Sequence, residues 1–366
     1  MVEDEKACSI ALAMCRGLER TSLLRLVEAL GSATRVWEAD PRDWTEAVRL
    51  QPATVRTLED WRRRARPFHL ETQLAERGVH CLVRGLPDYP KSLLHLTYPP
   101  LCLFVSGQLS ALKRLSVGVV GTRRASPYGL EAARWTGQVL AQAGFCVVSG
   151  MALGIDAAAQ EAALSAGGCT VAVLASGIDI CYPPSHRTLY EHIKRHGLLV
   201  SEYSPGTPVA RHRFPERNRT LAALSHVVVV IQAGERSGAL GTADMALELG
   251  RDVYAAPGPI TSIHCRGSNR LLQDGARLLI DPHDLVADLG GALDSVHREA
   301  HRPPQRWQAL YEAALMHASP DQLAAGLGWP LARVYAGLLE LEIGGWLERA
   351  PGGGYRAGAG LQSKKR

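Results

Sequence analysis

The sequence has no apolar run of about 18 residues, which a membrane-spanning helix needs, and its mean hydropathy is −0.05. We therefore expect no contact with membranes. The eight cysteines include no Cys-x-x-Cys pair, so we expect buried free thiols in a reducing compartment, with neither a disulfide framework nor a zinc site. The first residues are acidic where an export signal is basic, which favours a cytoplasmic protein.

The common catalytic signatures are also missing. The sequence contains no P-loop, no strict Gly-x-Gly-x-x-Gly, no Gly-x-Ser-x-Gly and no His-Glu-x-x-His. The histidines are scattered and do not pair with cysteines or acids at metal-ligand spacing. We therefore expect no metal, no cofactor and no catalytic residues, and a protein that binds rather than an enzyme.

The overall composition is that of a folded protein. The 366 residues are 46% hydrophobic and 21% charged, which fits about two to three domains. The net charge is only +5, and residues 116–290 carry equal numbers of basic and acidic side chains. Any anion site in that central stretch must therefore be a local cluster.

Residues 116–290 show the pattern of an α/β domain. Short apolar, β-branched runs alternate there with helix-like segments, as in LSVGVVG, FCVVSG, CTVAVLAS, LLVSEY and HVVVVIQA. DVYAAPG and RLLI are candidates for two more strands. This alternation predicts a doubly wound parallel sheet covered by helices on both faces. In such a sheet, ligands bind beyond the carboxyl ends of the strands.

The flanking regions predict smaller units. Residues 1–65 have helical spacing, typical of a helix-hairpin or SAM-like domain, and 66–115 form a proline-interrupted lead-in segment that packs on the core. We expect a linker over 291–304. Residues 305–358 predict three helices and a β-hairpin with a Gly-rich turn, which is typical of a winged helix. We expect a disordered tail over 359–366.

The loop after the first central strand suits a phosphate. Gly121 allows close backbone approach, and Ser126 before Pro127 is a good cap for the next helix. Helix-start N–H groups bind anions, and Arg123 or the next arginine can add a bidentate contact. The alternative is an ordinary tight turn with solvated arginines. The candidate residues in this loop are Gly121, Thr122, Arg123, Ser126 and Gly129.

Two further loops have similar composition. The candidates after the second strand are Ser149, Gly150, Gly154 and Asp156, for which the alternative is helix capping alone. Those after the fifth strand are Ser237, Gly238 and Thr242, in a Gly-rich segment that leads into a helix.

The segment before the fifth strand is the strongest local feature. It holds four arginines within nine residues and one acid, in an otherwise neutral domain. Phe214 and His212 are candidates for stacking on bases while the arginines bind phosphates. The alternative is a salt-bridged surface loop. The candidates are Arg211, Arg213, Phe214, Arg217, Asn218 and Arg219.

Seven ordered motifs from about residue 116 to 281 resemble the DNA processing protein A (Smf) family. They are VGVVGTRRASPYG, VVSGMALGIDAAA, VAVLASGIDICYPP, LLVSEY, FPERNRTLAALS, SGALGTADMALELGRDVYAAPG and GSNRLLQDGA. The resemblance implies an extended Rossmann-like fold that binds single-stranded DNA without sequence preference. It also implies a homodimer that loads RecA recombinase during natural transformation, displaces single-strand binding protein and has no catalytic activity. Residues 217–219 match the family's Arg-Asn-Arg.

The chain departs from the family pattern at three positions. Many members have Arg, His and Lys where this chain has Leu153, Gln160 and Pro184. We expect these changes to remove phosphate contacts, so that binding depends mainly on Arg123 and the 211–219 cluster.

Two alternative functions remain open from the sequence. The first is a nucleoside-monophosphate phosphoribohydrolase, an enzyme whose pattern requires an acid three residues after the Thr equivalent to Thr242. This chain has Met245 there, with Asp244 beside it. The second makes the winged helix the DNA reader, but its candidate recognition helix, PLARVYAGLLELEIGG, carries one Arg and two Glu, a poor surface for duplex DNA.

Overall fold

The computed structural model describes residues 2–290, 304–316, 319–343, 346–349 and 354–357. The chain divides into two units, Met1–Val286 and Ala287–Arg366. All but the last residue of the predicted linker, and the whole predicted tail, lie outside the described residues. Within the described part, no helix is long and apolar enough to cross a membrane.

A nine-stranded sheet forms the centre of the first unit. Its strands, in chain order, are β1 (His80–Val83), β2 (Cys102–Gly107), β3 (Ser116–Val120), β4 (Cys146–Ser149), β5 (Cys169–Leu174), β6 (Leu198–Ser201), β7 (Val227–Val230), β8 (Asp252–Ala255) and β9 (Arg277–Leu278). The spatial order is β1-β2-β6-β5-β4-β3-β7-β8-β9. β3 to β9 run parallel, and β1 and β2 pair antiparallel at one edge. The predicted doubly wound sheet is therefore confirmed.

The crossover of the chain lies beside β3. Val117 pairs with Val147 of β4 on one side and with Val227 of β7 on the other. From β3 the chain proceeds outward to β6, and then returns to β7 and proceeds outward in the other direction. The connections that leave β3 and β7 therefore diverge, which opens a crevice at the carboxyl ends of these two strands.

Helices cover both faces of the sheet. They are α7 (Pro127–Gln142), α8 (Ile155–Ser165), α9 (Arg187–His196), α10 (Arg213–Leu224), α11 (Gly238–Glu248) and α12 (Arg266–Gln273), and a further helical segment follows over 282–290. Alternate residues of β5 belong to different apolar clusters. Val171 and Val173 pack in one that includes helices α10 and α11, whereas Ala172 and Leu174 pack in another that includes α9.

The N-terminal region contributes six helices, and the first five share an apolar cluster around Trp44, whereas Leu74 of the sixth packs in a cluster of the central sheet. They are α1 (Val2–Ala13), α2 (Arg20–Leu30), α3 (Ala33–Glu38), α4 (Pro41–Val48), α5 (Pro52–Arg64) and α6 (Pro67–Glu76). The lead-in segment supplies the strands β1 and β2 of the central sheet, and Pro99 and Pro100 lie between them. The sequence predicted short extended pieces there but not their place in the sheet.

The second unit is a winged helix, as predicted. It contains α13 (Gln308–Ala314), α14 (Pro320–Leu327), α15 (Leu331–Ile343), β10 (Leu347–Arg349) and β11 (Tyr355–Ala357). The two strands pair antiparallel. Ser319 caps α14 through a bond from the Gln322 N–H, and the Gln322 side chain bonds back to the Ser319 N–H. Leu310, Leu323 and Leu338 form the core between the helices.

Candidate nucleic-acid interface

A cavity of about 490 Å³ opens at the carboxyl ends of β3 and β7, where the chain crosses over. It lies between the loop after β3, the first turns of α10 and the start of α11. Segments distant in the chain therefore meet at the edge predicted for ligand binding. Ten of the predicted site residues line it: Gly121, Thr122, Arg123, Asp156, Phe214, Arg217, Asn218, Ser237, Gly238 and Thr242.

Two glycines allow the loop after β3 to lie close to its neighbours. A Cβ on Gly121 would lie 2.5 Å from Cγ1 of Ile155. Gly154 has φ +81°, and a Cβ there would lie 2.4 Å from the carbonyl oxygen of Thr122. Both positions therefore require glycine, for steric space at the first and also for the left-handed backbone at the second.

Gln232 holds this loop to the end of β7, and the sequence analysis did not identify it. The side chain is 1% exposed, and its Oε1 accepts a bond of 2.9 Å from the Ser126 N–H. Its backbone carbonyl accepts a bond of 2.7 Å from the Thr122 N–H. Because Ser126 also caps α7, Gln232 fixes both the loop and the start of that helix. Its only sequence signal is one polar residue at the end of an apolar strand.

Arg123, Phe214 and Tyr182 form a stack beside the cavity. The guanidinium carbon of Arg123 lies 4.5 Å from the centre of the Phe214 ring. The Phe214 ring also contacts the Tyr182 ring, with the two ring centroids 5.9 Å apart and the ring planes tilted by 54°. Arg123 and Tyr182 are exposed, and Phe214 is half-buried. The site therefore presents a cation and two aromatic rings together, a combination that binds unpaired bases. Tyr182 was missed from the sequence because it lies far along the chain from both partners.

Arg217 lies at the base of the cavity and is 5% exposed. Its Nη1 donates 2.8 Å to the Gly150 carbonyl oxygen and also bonds to the carbonyl oxygen of Val173. Burial raises the pKa of Asp156 above its usual range, and the positive charge of Arg217 opposes that rise. Arg217 thus joins the ends of β4 and β5, and most of its donors are used inside the protein.

The neighbouring Asn218 connects two helices at the cavity wall. Its Oδ1 accepts a bond of 3.2 Å from Nε of Arg217, and its Nδ2 donates 3.2 Å to the Gly238 carbonyl oxygen. Ser237 caps α11. This arrangement presents the amino end of an 11-residue helix to the cavity, where the helix dipole favours an anion.

The structure does not bring the whole arginine cluster to the cavity. Arg219 bonds to Glu202, which is 3% exposed and also accepts a bond of 2.7 Å from Arg20 of α2. Arg213 stacks over the Tyr203 ring at 5.2 Å, and Arg211 is exposed before α10. The cluster begins a helix, so its side chains point in different directions.

Other predicted residues lie behind the cavity walls. Ser149 is fully buried and donates 2.6 Å to the Val119 carbonyl oxygen. The amide of Gly150 donates 3.1 Å to Asp156. Gly129 is buried against Gln232, and with Ser126 and Gly154 it shapes the loops without lining the opening.

The three departures from the family pattern fall in different environments. Gln160 is fully buried, where its Oε1 accepts from the Met151 N–H and its Nε2 donates to Thr170. A side chain at this position therefore acts inside the fold and does not reach the cavity. Leu153 is exposed, and Pro184 begins a short 3₁₀ turn.

Comparisons with known proteins give consistent results. Residues 80–290 match the family model described as DNA recombination-mediator protein A, and 313–353 match the DprA winged helix domain. The curated Protein Smf of Synechocystis sp. is 31% identical over 97% of this chain and 100% of its own length.

Two solved structures are also similar. DNA processing protein A from Streptococcus pneumoniae has a TM-score of 0.68 and 32% identity, and the match covers 77% of this chain and 97% of that one. The Helicobacter pylori protein has a TM-score of 0.54 and 31% identity, over 58% of this chain and 96% of its own. That structure is described as showing a single-stranded DNA binding mode.

Proposed function

Because the chain belongs to the DNA recombination-mediator protein A family, we propose that it binds single-stranded DNA without sequence preference and loads RecA recombinase on it. In this proposal, the activity belongs to natural transformation and recombination. The observation that carries the binding proposal is the stack of Arg123, Phe214 and Tyr182 beside the cavity at the crossover of the sheet.

The stack provides a physical reason for binding without preference for a DNA sequence. Every base has a π-face, so a base stacks on an aromatic ring or a guanidinium plane whatever its identity. Phe214 and Tyr182 are tilted by 54°, so they offer surfaces to two bases of a bent strand rather than one flat platform. Bases inside a duplex are already stacked and paired. The site therefore favours single strands over duplex DNA.

Phosphate binding is assigned to the neighbouring groups. Arg123 is exposed and supplies a positive charge for a phosphate beside the Phe214 ring. Ser237 and Gly238 place the amino end of α11 at the cavity, and Gly121, Thr122 and Thr242 complete the wall. Arg211 extends the positive surface beyond the opening. Arg217 and Arg219 act differently in this proposal: they position α10 through Gly150 and Glu202.

The cavity supports binding rather than catalysis. In a phosphoribohydrolase, the residue three positions after Thr242 would be an acid. Here Met245 lines the cavity, and Asp244 beside it is exposed and outside the lining. We propose that the protein performs no reaction of its own on the DNA and works in the cytoplasm.

The partners are proposed from family membership. RecA receives the strand, single-strand binding protein is displaced, and two copies of the chain act as a homodimer. The winged helix is assigned to protein contacts rather than to duplex DNA. On α15, Glu340 pairs with Arg306, Glu342 pairs with Arg349, and Arg333 stacks 4.1 Å from the Trp329 ring, which leaves little charge for a phosphate backbone.

The test is fluorescence anisotropy with a labelled poly-dT strand, followed by competition with unlabelled strands and duplex. We expect tight, salt-sensitive binding, equal competition by single strands of different sequence and poor competition by duplex. RecA assembly is then measured on strands precoated with single-strand binding protein. Faster RecA assembly supports loading, whereas strand binding without faster assembly contradicts only the loading part.

A further inference from the structure

A second cavity, of about 730 Å³, opens at the opposite end of the sheet. It lies where β5 begins, between the last turn of α8, helix α9 and the residue Arg114 that precedes β3. His192 and His196 line it, with ring centroids 6.4 Å apart. Cys169, the first residue of β5, is 7% exposed and is among the residues that line this cavity.

Cys169 has a second cysteine as its direct neighbour in the sheet. Cys146 is the first residue of β4 and pairs in register with Cys169 of β5. Their Sγ atoms lie 3.5 Å apart. Neighbouring strands are about 4.8 Å apart, and disulfides form across Cα separations of about 4.4–6.8 Å. The two sulfurs can therefore bond after small side-chain movements.

The two thiols differ in access and in charge. Cys146 is fully buried, whereas Cys169 is 7% exposed, at the cavity. A hydrogen bond from the Cys146 thiol lowers the pKa of Cys169 to about 7, and the positive charge of Arg114 contributes to the lowering. The pKa of Cys146 is raised well above its usual value by the same contact and by burial. Of the two thiols, Cys169 therefore loses its proton more readily.

We propose that Cys169 is a modification site for small disulfides such as oxidised glutathione, and that Cys146 resolves the adduct to a Cys146–Cys169 disulfide. In the first step the Cys169 thiolate attacks one sulfur of the small disulfide, forms a mixed disulfide and releases one thiolate. In the second step Cys146 attacks Cys169 Sγ, the protein disulfide forms, and the second small thiol leaves with the Cys146 proton. The two cysteines are oxidised, and the small disulfide is reduced to two thiols.

The test treats the full chain with oxidised glutathione, blocks the remaining thiols and maps chymotryptic peptides by mass. Chymotrypsin cleaves after Leu174 and so separates Cys169 from Cys181. We expect a linked Cys146–Cys169 peptide pair that disappears on reduction. With Cys146→Ser, the linked pair is lost and glutathione stays on Cys169. With Cys169→Ser, the linked pair is lost and Cys146 stays unmodified.

Cys181→Ser is the matched control, because Cys181 is a half-exposed thiol outside this pair. This variant keeps the linked Cys146–Cys169 peptides. The proposal is overturned if wild type acquires glutathione on Cys181 while Cys146 and Cys169 stay reduced. It is also overturned if Cys169 carries a stable adduct in wild type that Cys146 does not resolve. The peptide readout requires no DNA, so its result is independent of the proposed function.

Discussion

The Arg123 guanidinium carbon lies 4.5 Å from the centre of the Phe214 ring. Arg123 belongs to the loop after β3, and Phe214 belongs to the first turn of α10, so the contact joins the two sides of the crossover cavity. Because arginine is charged and phenylalanine presents a π-face, this pair offers both of the interactions that hold a single strand.

Phe214→Ala is expected to weaken single-strand binding by about 1–3 kcal/mol, the contribution of one stacked base. Phe214→Tyr keeps the ring and should bind nearly as tightly as wild type. Phe68→Ala, which removes an exposed ring from α6, is the matched control and should leave affinity unchanged. Anisotropy titrations at one salt concentration measure all four proteins. Equal affinities of wild type and Phe214→Ala would remove the stack from the binding site.

Arg217→Ala is expected to destabilise the fold by about 3–5 kcal/mol, because it removes a buried charge opposite Asp156 and leaves the carbonyls of Gly150 and Val173 without their donor. From the sequence alone, Arg217 was a candidate for phosphate binding. Urea unfolding followed by circular dichroism measures the loss. Arg211→Ala, at an exposed arginine of the same cluster, is the control and should unfold like wild type.

Gly154→Ala is expected to cost about 1–3 kcal/mol of stability, because φ is +81° and the added Cβ would lie 2.4 Å from the Thr122 carbonyl oxygen. Gly241→Ala provides a contrast on α11, since a Cβ there meets no atom within 4 Å. This second change should gain about 0.5–1 kcal/mol, the usual helix preference for Ala. Thermal and urea unfolding should each show a loss of stability for Gly154→Ala and a gain for Gly241→Ala. Stability changes of the same sign in the two variants would contradict the close packing at Gly154.

Asp156 is expected to affect the stability of the fold at acidic pH. Its folded-state pKa is raised by burial above the unfolded value near 3.8, so the folded state takes up this proton first as the pH falls. The contribution of Asp156 to stability is therefore present below pH 3.8 and lost as the pH rises through the folded pKa. Asp156→Asn removes this contribution. The free energies of unfolding of the variant and wild type should therefore diverge by at most about 1.4 kcal/mol per pH unit within that window.

Urea unfolding from pH 7 to pH 4 measures the effect. Relative to wild type, Asp156→Asn should lose stability more steeply as the pH falls. Asp244→Asn, at an exposed acid of α11, is the control. Parallel pH profiles of wild type and Asp156→Asn would show that Asp156 does not titrate differently in the folded state.

The sequence predicted the central sheet well because buried parallel strands are short, apolar and β-branched, as in Val227–Val230. The antiparallel strands β1 and β2 were harder to predict, since whether an extended piece joins a sheet depends on tertiary pairing. For β2 that pairing is with β6, about ninety residues along the chain. Local composition carries no signal for such a partner.

The site was predicted at the level of loops but not of side-chain directions. Arg123 and Arg219 look alike in the sequence, yet one is exposed beside Phe214 and the other pairs with Glu202. Arg219 lies on helix α10, where its side chain points away from the cavity, whereas Arg123 lies in the loop after β3. Tyr182 and Gln232 were missed since each acts through partners distant in the chain.

The most direct test of the central claim is the salt dependence of single-strand binding by wild type and Arg123→Ala, with circular dichroism to verify the fold. Arg134→Ala, which removes an exposed arginine of α7 outside the cavity, is the control. Log affinity should fall with log salt less steeply for Arg123→Ala, by about 0.7 for the lost phosphate contact, and Arg134→Ala should match wild type. Identical slopes and affinities for wild type and Arg123→Ala would contradict binding at this cavity.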